Sequence, residues 1–139
     1  MNRHRGFTLI EIMVVVVIIG LLAAFIVPQI TGKVEQARVA KAKTDIQALD
    51  TALSMYKLDN FKYPPADLGL AALVTKPTGD AAANWKGPYL KKLSKDPWNN
   101  EYQYVVPGKH SEYDLYSRGA DGQDGGEGDD ADIGNWNIE

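Results

Sequence analysis

An uninterrupted apolar segment at residues 7–27 limits what this chain can fold into more than any other feature. It reads FTLIEIMVVVVIIGLLAAFIV, and Glu11 is its only charged residue. As an α-helix, these 21 residues would span about 31 Å, which matches the ~30 Å hydrocarbon core of a membrane. A single domain of 139 residues rarely surrounds such a helix on all sides, so a buried core helix is the less favoured alternative. The segment therefore predicts a transmembrane helix.

The residues that flank this segment predict its orientation. Arg3 and Arg5 precede it, and positive charge next to a membrane span is retained in the cytoplasm. The apolar segment is too long for the apolar region of a cleavable secretory signal, and no small-residue cleavage site of that kind follows it. We therefore expect the N-terminus in the cytoplasm and everything after Pro28 on the other side of the membrane.

Glu11 is unusual, because a carboxylate within a membrane segment is costly and normally has a partner and a function. If the chain were cut after Gly6, Phe7 would carry a new α-amino group close to Glu11. An amine and a carboxylate that face each other in lipid would offset much of each other's desolvation cost. The pair could form within one chain or between neighbouring chains, where it would set the register of a helical assembly.

The stretch RGFTLIEIMVVVVIIGLLAA resembles the class III signal of type IV pilins and pseudopilins. The resemblance implies that a prepilin peptidase cleaves after Gly6 and that the new N-terminal residue, Phe7, is methylated. It also implies a role in assembly for Glu11, the fifth residue of the mature chain. The expected location is the inner membrane of a Gram-negative cell, crossed once, with the globular domain in the periplasm.

The globular part is predicted to have an α+β fold. Apolar residues at spacings of three and four predict an amphipathic helix that ends near Asp59–Asn60 and packs one face on a small domain. The positions on this face are Ala42, Ile46, Leu49, Leu53 and Tyr56. Strands are predicted at residues 101–106, 113–117 and 135–138, and a short helix at 68–74. Pro28 predicts a kink or local melting of the preceding helix.

A second unusual segment, residues 121–132, reads DGQDGGEGDDAD, with six acidic residues, four glycines and no basic residue. A flexible, solvated loop is one interpretation. The segment lies, however, between a predicted strand and the apolar-aromatic IGNWNI, which favours an ordered loop. Carboxylate and carbonyl oxygens are the ligands that Ca²⁺ prefers. An EF-hand does not fit, because Asp132 replaces the glutamate of the twelfth position and no helices flank the loop.

Four further motifs extend the resemblance over essentially the whole chain, to the major pseudopilin family (core protein G) of type II secretion systems. They are MYKLDNFKYP, GPYLKKL, DPWNNEYQY and GADG…DADIGNW. This resemblance implies a type IV pilin-like fold, in which a long N-terminal helix packs on a small antiparallel sheet with an ordered metal-binding loop. It also implies a structural Ca²⁺ bound by Asp121, Asp130 and Asp132 and by backbone carbonyls around Arg118 and Gln123.

The same resemblance implies a major structural subunit that polymerises into a short periplasmic filament and drives export of folded proteins through the outer membrane. The implied partners are identical copies in a helical filament, minor pseudopilins, an inner-membrane assembly platform and the prepilin peptidase. The chain then divides into a leader peptide (1–6), a transmembrane and assembly helix (7–30) and a periplasmic domain (31–139). A type IV pilus subunit for adhesion, motility or DNA uptake is the alternative. Major pilins often carry a disulfide-bounded loop, however, and cysteine is absent here.

Composition argues against other classes of function. The chain has 15 basic and 18 acidic residues, a net charge of −3, whereas nucleic-acid binders usually have a basic excess. There is no cysteine, and of the two histidines processing would remove His4. A catalytic triad, a zinc site or a histidine base is then hard to build. We predict no catalytic residue, and we interpret His110 as a solvated turn residue.

Overall fold

The computed structural model describes residues 6–139, which contain one long helix, short 3₁₀ helices and a three-stranded sheet. Helix α1 comprises Leu9–Asn60, so it ends where the sequence predicts. The strands are β1 (Gln103–Val105), β2 (Asp114–Ser117) and β3 (Ile133–Gly134), and the 3₁₀ helices are Gly69–Leu73, Gly79–Ala82 and Gly128–Asp130. The chain forms two compact units, the first ending at Gln36 and the second comprising Ala37–Glu139.

In the first unit, α1 is apolar and exposed. It is the one helix among residues 6–139 that is long and apolar enough to cross a membrane, and its apolar window is not buried by these residues. The backbone remains helical at Pro28, where the sequence predicts a kink or local melting, because a proline removes a single bond from the helical ladder. Residues 1–5, which include Arg3, His4 and Arg5, lie outside the described residues, so the orientation stays a prediction.

The second unit has its core between one face of α1 and the sheet. The predicted helix positions Ala42, Ile46, Leu49, Leu53 and Tyr56 are all buried. They pack with Leu73 of the first 3₁₀ helix and with residues of the sheet region, namely Tyr102, Tyr113, Leu115 and Ile133. Each Å² of apolar surface removed from water contributes about 25 cal/mol to stability. This burial therefore holds the apolar face of the helix against the sheet. The predicted α+β arrangement is confirmed.

The sheet is antiparallel throughout, with β2 in the centre. Predicted strands 101–106 and 113–117 contain β1 and β2, but the third prediction, 135–138, is wrong, because β3 ends just before it at Gly134. Asn137 explains the difference. Its side-chain oxygen accepts from the Gly134 N–H at 2.9 Å, and its own N–H donates to the Gly134 carbonyl at 3.0 Å. Asparagine competes with strand pairing in this way, so a turn replaces the strand.

Two buried tyrosines connect the sheet region to α1. The Tyr102 hydroxyl donates to Asp45 Oδ2 at 2.8 Å, and the Tyr113 hydroxyl donates to Asp50. Burial raises the pKa of both hydroxyls above the ordinary value of 10.0, and the carboxylate acceptors raise it further. Both tyrosines therefore stay neutral and hydrogen-bonded throughout the physiological pH range.

We expect Tyr113→Phe to lower the free energy of unfolding by about 1.5–3 kcal/mol at neutral pH, because a hydrogen bond to a charged group is lost. Wild-type stability should fall as the pH rises above 10.0, where unfolded tyrosines ionise while the folded hydroxyls remain neutral. Denaturation of the full-length chain in detergent micelles, followed by tryptophan fluorescence, measures both effects. An equally steep alkaline fall in the variant Tyr102→Phe/Tyr113→Phe would contradict the assignment.

Candidate processing site and metal-binding loop

The predicted processing site lies immediately before α1. Gly6 and Phe7 are exposed and lie outside the helix, as a cleavage site requires. The Thr8 N–H donates to Glu11 Oε2 at 2.7 Å, and the Glu11 N–H donates to Thr8 Oγ1 at 3.3 Å. This reciprocal arrangement is a capping box, which satisfies backbone donors at the start of a helix. Glu11 therefore has a partner in its own uncleaved chain, and that partner is Thr8.

The acidic loop, defined here as residues 119–132, is closed by backbone contacts at its base. Gly119 has a φ of 65°, and a Cβ at this position would lie only 2.8 Å from the Ala131 carbonyl oxygen. The Ala120 N–H also donates to the Asp129 carbonyl at 3.2 Å. Glycine is needed at residue 119 both for the positive φ and for the close approach. The loop therefore has a defined, closed backbone.

Asp132 is the predicted ligand with the most contacts. Its N–H donates to the Gly125 carbonyl at 3.1 Å, its Oδ2 accepts from the Gly125 N–H at 2.9 Å, and its carbonyl accepts from Asn137 Nδ2 at 3.0 Å. Its other carboxylate oxygen, Oδ1, is buried and accepts no hydrogen bond. A buried polar atom without a partner is costly, and a cation at Oδ1 would remove that cost. The carboxylate and carbonyl oxygens of the loop are suited to Ca²⁺.

The other predicted ligands are not gathered around Asp132. Asp121 Oδ1 accepts from the Gln123 N–H at 2.9 Å, which makes a local turn. Among residues 6–139, no group of three or more His, Asp or Glu side chains is arranged to hold a metal ion. Asp121, Asp130 and Asp132 thus do not converge as a closed set, and converging carboxylates repel one another unless a cation lies between them. The predicted ligand set stays a prediction.

Asp124, near the middle of the loop, is engaged by side chains at the end of β2. Its Oδ1 accepts from Arg118 Nε at 2.8 Å and from the Tyr116 hydroxyl at 3.0 Å. The hydrogen bond from Arg118, together with that from Tyr116, holds the pKa of the Asp124 carboxyl below its ordinary value. Asp124 therefore anchors the loop to the sheet, whereas the buried oxygen of Asp132 is unengaged.

His110 lies in a turn, as predicted, but it is packed rather than simply solvated. Its ring stacks on Trp136 with centroids 4.0 Å apart, and its Nδ1 lies 2.9 Å from Asp114 Oδ2. Burial acts to raise the pKa of Asp114, but hydrogen bonds from Lys109 and His110 outweigh it and leave this pKa below the ordinary value. The contacts among His110, Asp114 and Trp136 hold the turn that precedes β2 in place.

Comparison with known proteins identifies the family. Residues 1–27 match the prokaryotic N-terminal methylation motif, and residues 29–136 match protein G of the type II secretion system. A type II secretion system core protein G from Vibrio cholerae is 58% identical, covering 100% of this chain and 96% of its own length. The protein of the same name from Pseudomonas aeruginosa is 61% identical, covering 97% and 96%. The chain belongs to the type II secretion system protein G family.

A solved structure agrees with this assignment to the protein G family. The major pseudopilin from the type 2 secretion system of enterohaemorrhagic Escherichia coli is 41% identical, with a TM-score of 0.65, covering 76% of this chain and 92% of that one. The predicted pilin-like fold, with a long helix and a small antiparallel sheet, is confirmed. So is the prediction of a secretion pseudopilin rather than a type IV pilus subunit. The family is one of structural subunits.

Sequence reasoning missed the residues that hold the loop in place. Gly125 and Asn137 bind Asp132, and the buried Ser117, two residues before the loop, donates to the buried Asp96. One signal was available, because an aspartate often accepts from the N–H two residues further on. Asp96, the first residue of DPWNN, follows that pattern, because it accepts from the N–H of Trp98. The hydrogen bond between Asp96 and Ser117, in contrast, depends on tertiary packing.

Two matched glycine substitutions test the closed loop. Gly128 has a φ of 61° but open space around it, so Gly128→Ala introduces backbone strain alone, at a cost of about 1–2 kcal/mol. Gly119→Ala adds a clash with the Ala131 carbonyl, and we expect it to lower the free energy of unfolding further, by at least about 1 kcal/mol. Chemical denaturation of both variants measures the difference. Equal losses would show that the loop is not closed at Gly119.

Proposed function

We propose that this chain is the major structural subunit of a type II secretion pseudopilus, a short periplasmic filament that drives export of folded proteins through the outer membrane. The observation that carries the proposal is the apolar part of α1, from Leu9 to Val27, whose apolar window is not buried by the described residues, in a member of the protein G family. Such a helix needs lipid around it before assembly and identical helices around it in the filament. The chain needs no enzymatic activity and no nucleic-acid ligand for this role.

Assembly in this proposal starts in the inner membrane. The N-terminus, with Arg3 and Arg5, lies in the cytoplasm, and the globular unit lies in the periplasm. An inner-membrane platform recruits subunits from lipid, identical copies form a helical filament, and minor pseudopilins join it. The family assignment supports an inner-membrane anchor with a periplasmic domain.

Processing would come before assembly. A prepilin peptidase would cleave between Gly6 and Phe7 and methylate the new amine of Phe7. The exposed, non-helical residues at this position and the matched methylation motif support this step. The Glu11 carboxylate would then pair with that amine, in its own chain or in a neighbouring one, so that neither charge remains alone in lipid.

The intact mass of the product tests this processing. With a prepilin peptidase, the full-length chain should yield a product that begins at Phe7 and carries one added methyl group. Without the peptidase, it should retain residues 1–6. An unprocessed chain in the presence of an active peptidase would refute the proposed pseudopilin pathway.

A Glu11→Ala chain in the same cells separates insertion from assembly. Membrane insertion should survive, because removal of a charge makes the segment more apolar. Filament assembly, measured by sedimentation of sheared filaments, should fail. Normal filaments from this variant would remove Glu11 from the assembly mechanism.

We also propose that the acidic loop binds a structural Ca²⁺, which stabilises the folded periplasmic unit. Asp132 would bind the ion through Oδ1, with Asp121, Asp130 and the carbonyls of Arg118 and Gln123 as further ligands. The buried Oδ1 of Asp132, which accepts no hydrogen bond, supports this assignment. An ion that binds the folded state and not the unfolded state adds to stability by mass action.

Calcium should raise the melting temperature of the full-length chain in detergent micelles. At a hundredfold excess over Kd, the gain is about 2.7 kcal/mol, which corresponds to a rise of roughly 10 °C for a domain of this size. Asp132→Asn should abolish most of the difference between millimolar CaCl₂ and EDTA. Asp124→Asn, the matched control in the same loop, should retain it, because Arg118 and Tyr116 already engage Asp124. An unchanged wild-type melting temperature in EDTA would exclude the calcium site.

A further inference from the structure

Asp96 is a buried carboxylate whose two oxygens both have partners. Asp96 is only 4% exposed. Oδ1 accepts from the N–H groups of Trp98 at 3.0 Å and Asn100 at 2.8 Å, and Oδ2 accepts from the Ser117 hydroxyl at 2.6 Å. The Asp96 N–H also donates to the Asn100 carbonyl at 2.8 Å. Asp96 therefore joins the turn at residues 96–100 to the last residue of β2.

The first connection leads through Ser117 to Gly119. Ser117 is fully buried, and its hydroxyl, while it donates to Asp96, accepts from the Gly119 N–H at 3.2 Å. Gly119 in turn packs against the backbone of residues 129–131, which closes the loop. The orientation of one buried hydroxyl thus fixes the residue at which the acidic loop begins.

The second connection leads through Asn100 to Gly122. Asp96 binds the backbone of Asn100 through both its own backbone and its carboxylate. A Cβ at Gly122 would lie 3.4 Å from Asn100 Nδ2, so the loop backbone lies against this side chain. Gly119 and Gly122 both have positive φ, 65° and 68°, and Asp121 lies between them in the sequence.

We propose that Asp96 is a positioning residue for the calcium loop. It fixes Gly119 through Ser117 and Gly122 through Asn100, and so sets the backbone that presents the Asp121 carboxylate and the Arg118 carbonyl. Asp96 does not bind the ion itself, because its own oxygens are already engaged. This inference rests on the calcium site proposed above and adds to it a residue that lies outside the loop.

Two substitutions weaken this connection at different atoms. Asp96→Asn keeps the shape and an oxygen for the Trp98 and Asn100 N–H groups, but it places an amide donor opposite the Ser117 hydroxyl. Ser117→Ala removes the hydroxyl that Gly119 needs. Tyr104→Phe is the matched control, since it removes a part-buried hydroxyl that donates to the Pro64 carbonyl at 2.8 Å, away from the loop.

Calorimetric titration of each full-length chain with CaCl₂, in detergent micelles, gives the Kd. It is run at a temperature at which near-ultraviolet circular dichroism shows every variant folded in EDTA. We expect Asp96→Asn and Ser117→Ala to raise the Kd for calcium by about 10-fold to 100-fold, the usual effect of losing a residue that orients metal ligands. Tyr104→Phe should lower stability in EDTA but leave the Kd within about twofold of wild type.

The outcomes separate this inference from the proposed calcium site. Wild-type binding with an unchanged Kd in Asp96→Asn and Ser117→Ala overturns the positioning role alone. An equal rise in Kd for Tyr104→Phe overturns it as well, because the effect would then follow general stability. If the wild type itself binds no calcium, the calcium site is wrong and the positioning role is excluded with it.

Discussion

The other described residues leave the apolar half of α1 exposed, and an apolar surface of this size is stable only when lipid or protein covers it. The globular unit therefore depends on what it buries itself, which is one face of a helix, short 3₁₀ segments and three short strands. Small units bury a low fraction of their surface, so polar contacts inside the unit matter. Tyr102 and Tyr113 place neutral hydroxyls on helix carboxylates, and each such bond stabilises only the folded arrangement.

Near the C-terminal end of the chain, asparagine side chains make hydrogen bonds to the backbone that strand pairing would otherwise make. Asn135 bonds to Leu115 twice, through its N–H and through its side-chain oxygen, and its amide nitrogen reaches the Tyr113 carbonyl. Asn137 closes the next turn and binds the Asp132 carbonyl. Together they bring the end of the acidic loop to β2 in a chain that has no cysteine to form a disulfide. The proposed calcium ion would complete the closure at Asp132.

The periodicity of α1 made its buried face and its C-terminal end predictable, since a helix repeats one local pattern many times, whereas its start at Leu9 lies two residues inside the predicted apolar segment. The third strand was misplaced because NWNI alternates like a strand, while the Asn137 side chain decides in favour of a turn. Residue types identified the acidic loop, but the burial of one Asp132 oxygen depends on tertiary packing. The same holds for Asp96, whose bond to Ser117 joins residues 21 positions apart. Likewise, the stacking of His110 on Trp136 has no local signal.

The capping box at the start of α1 has a consequence for the energetics of leaving the membrane. It uses only atoms of Thr8 and Glu11, all of which remain after cleavage at the proposed position. Maturation would then alter the charge of the anchor and not its helical start. Loss of Arg3 and Arg5 would remove two cations that resist passage through hydrocarbon, while the new amine and the Glu11 carboxylate would cancel in net charge. Under the proposed processing, the precursor would be retained in the bilayer, and the mature subunit would have an electrically neutral tip that can be withdrawn from it.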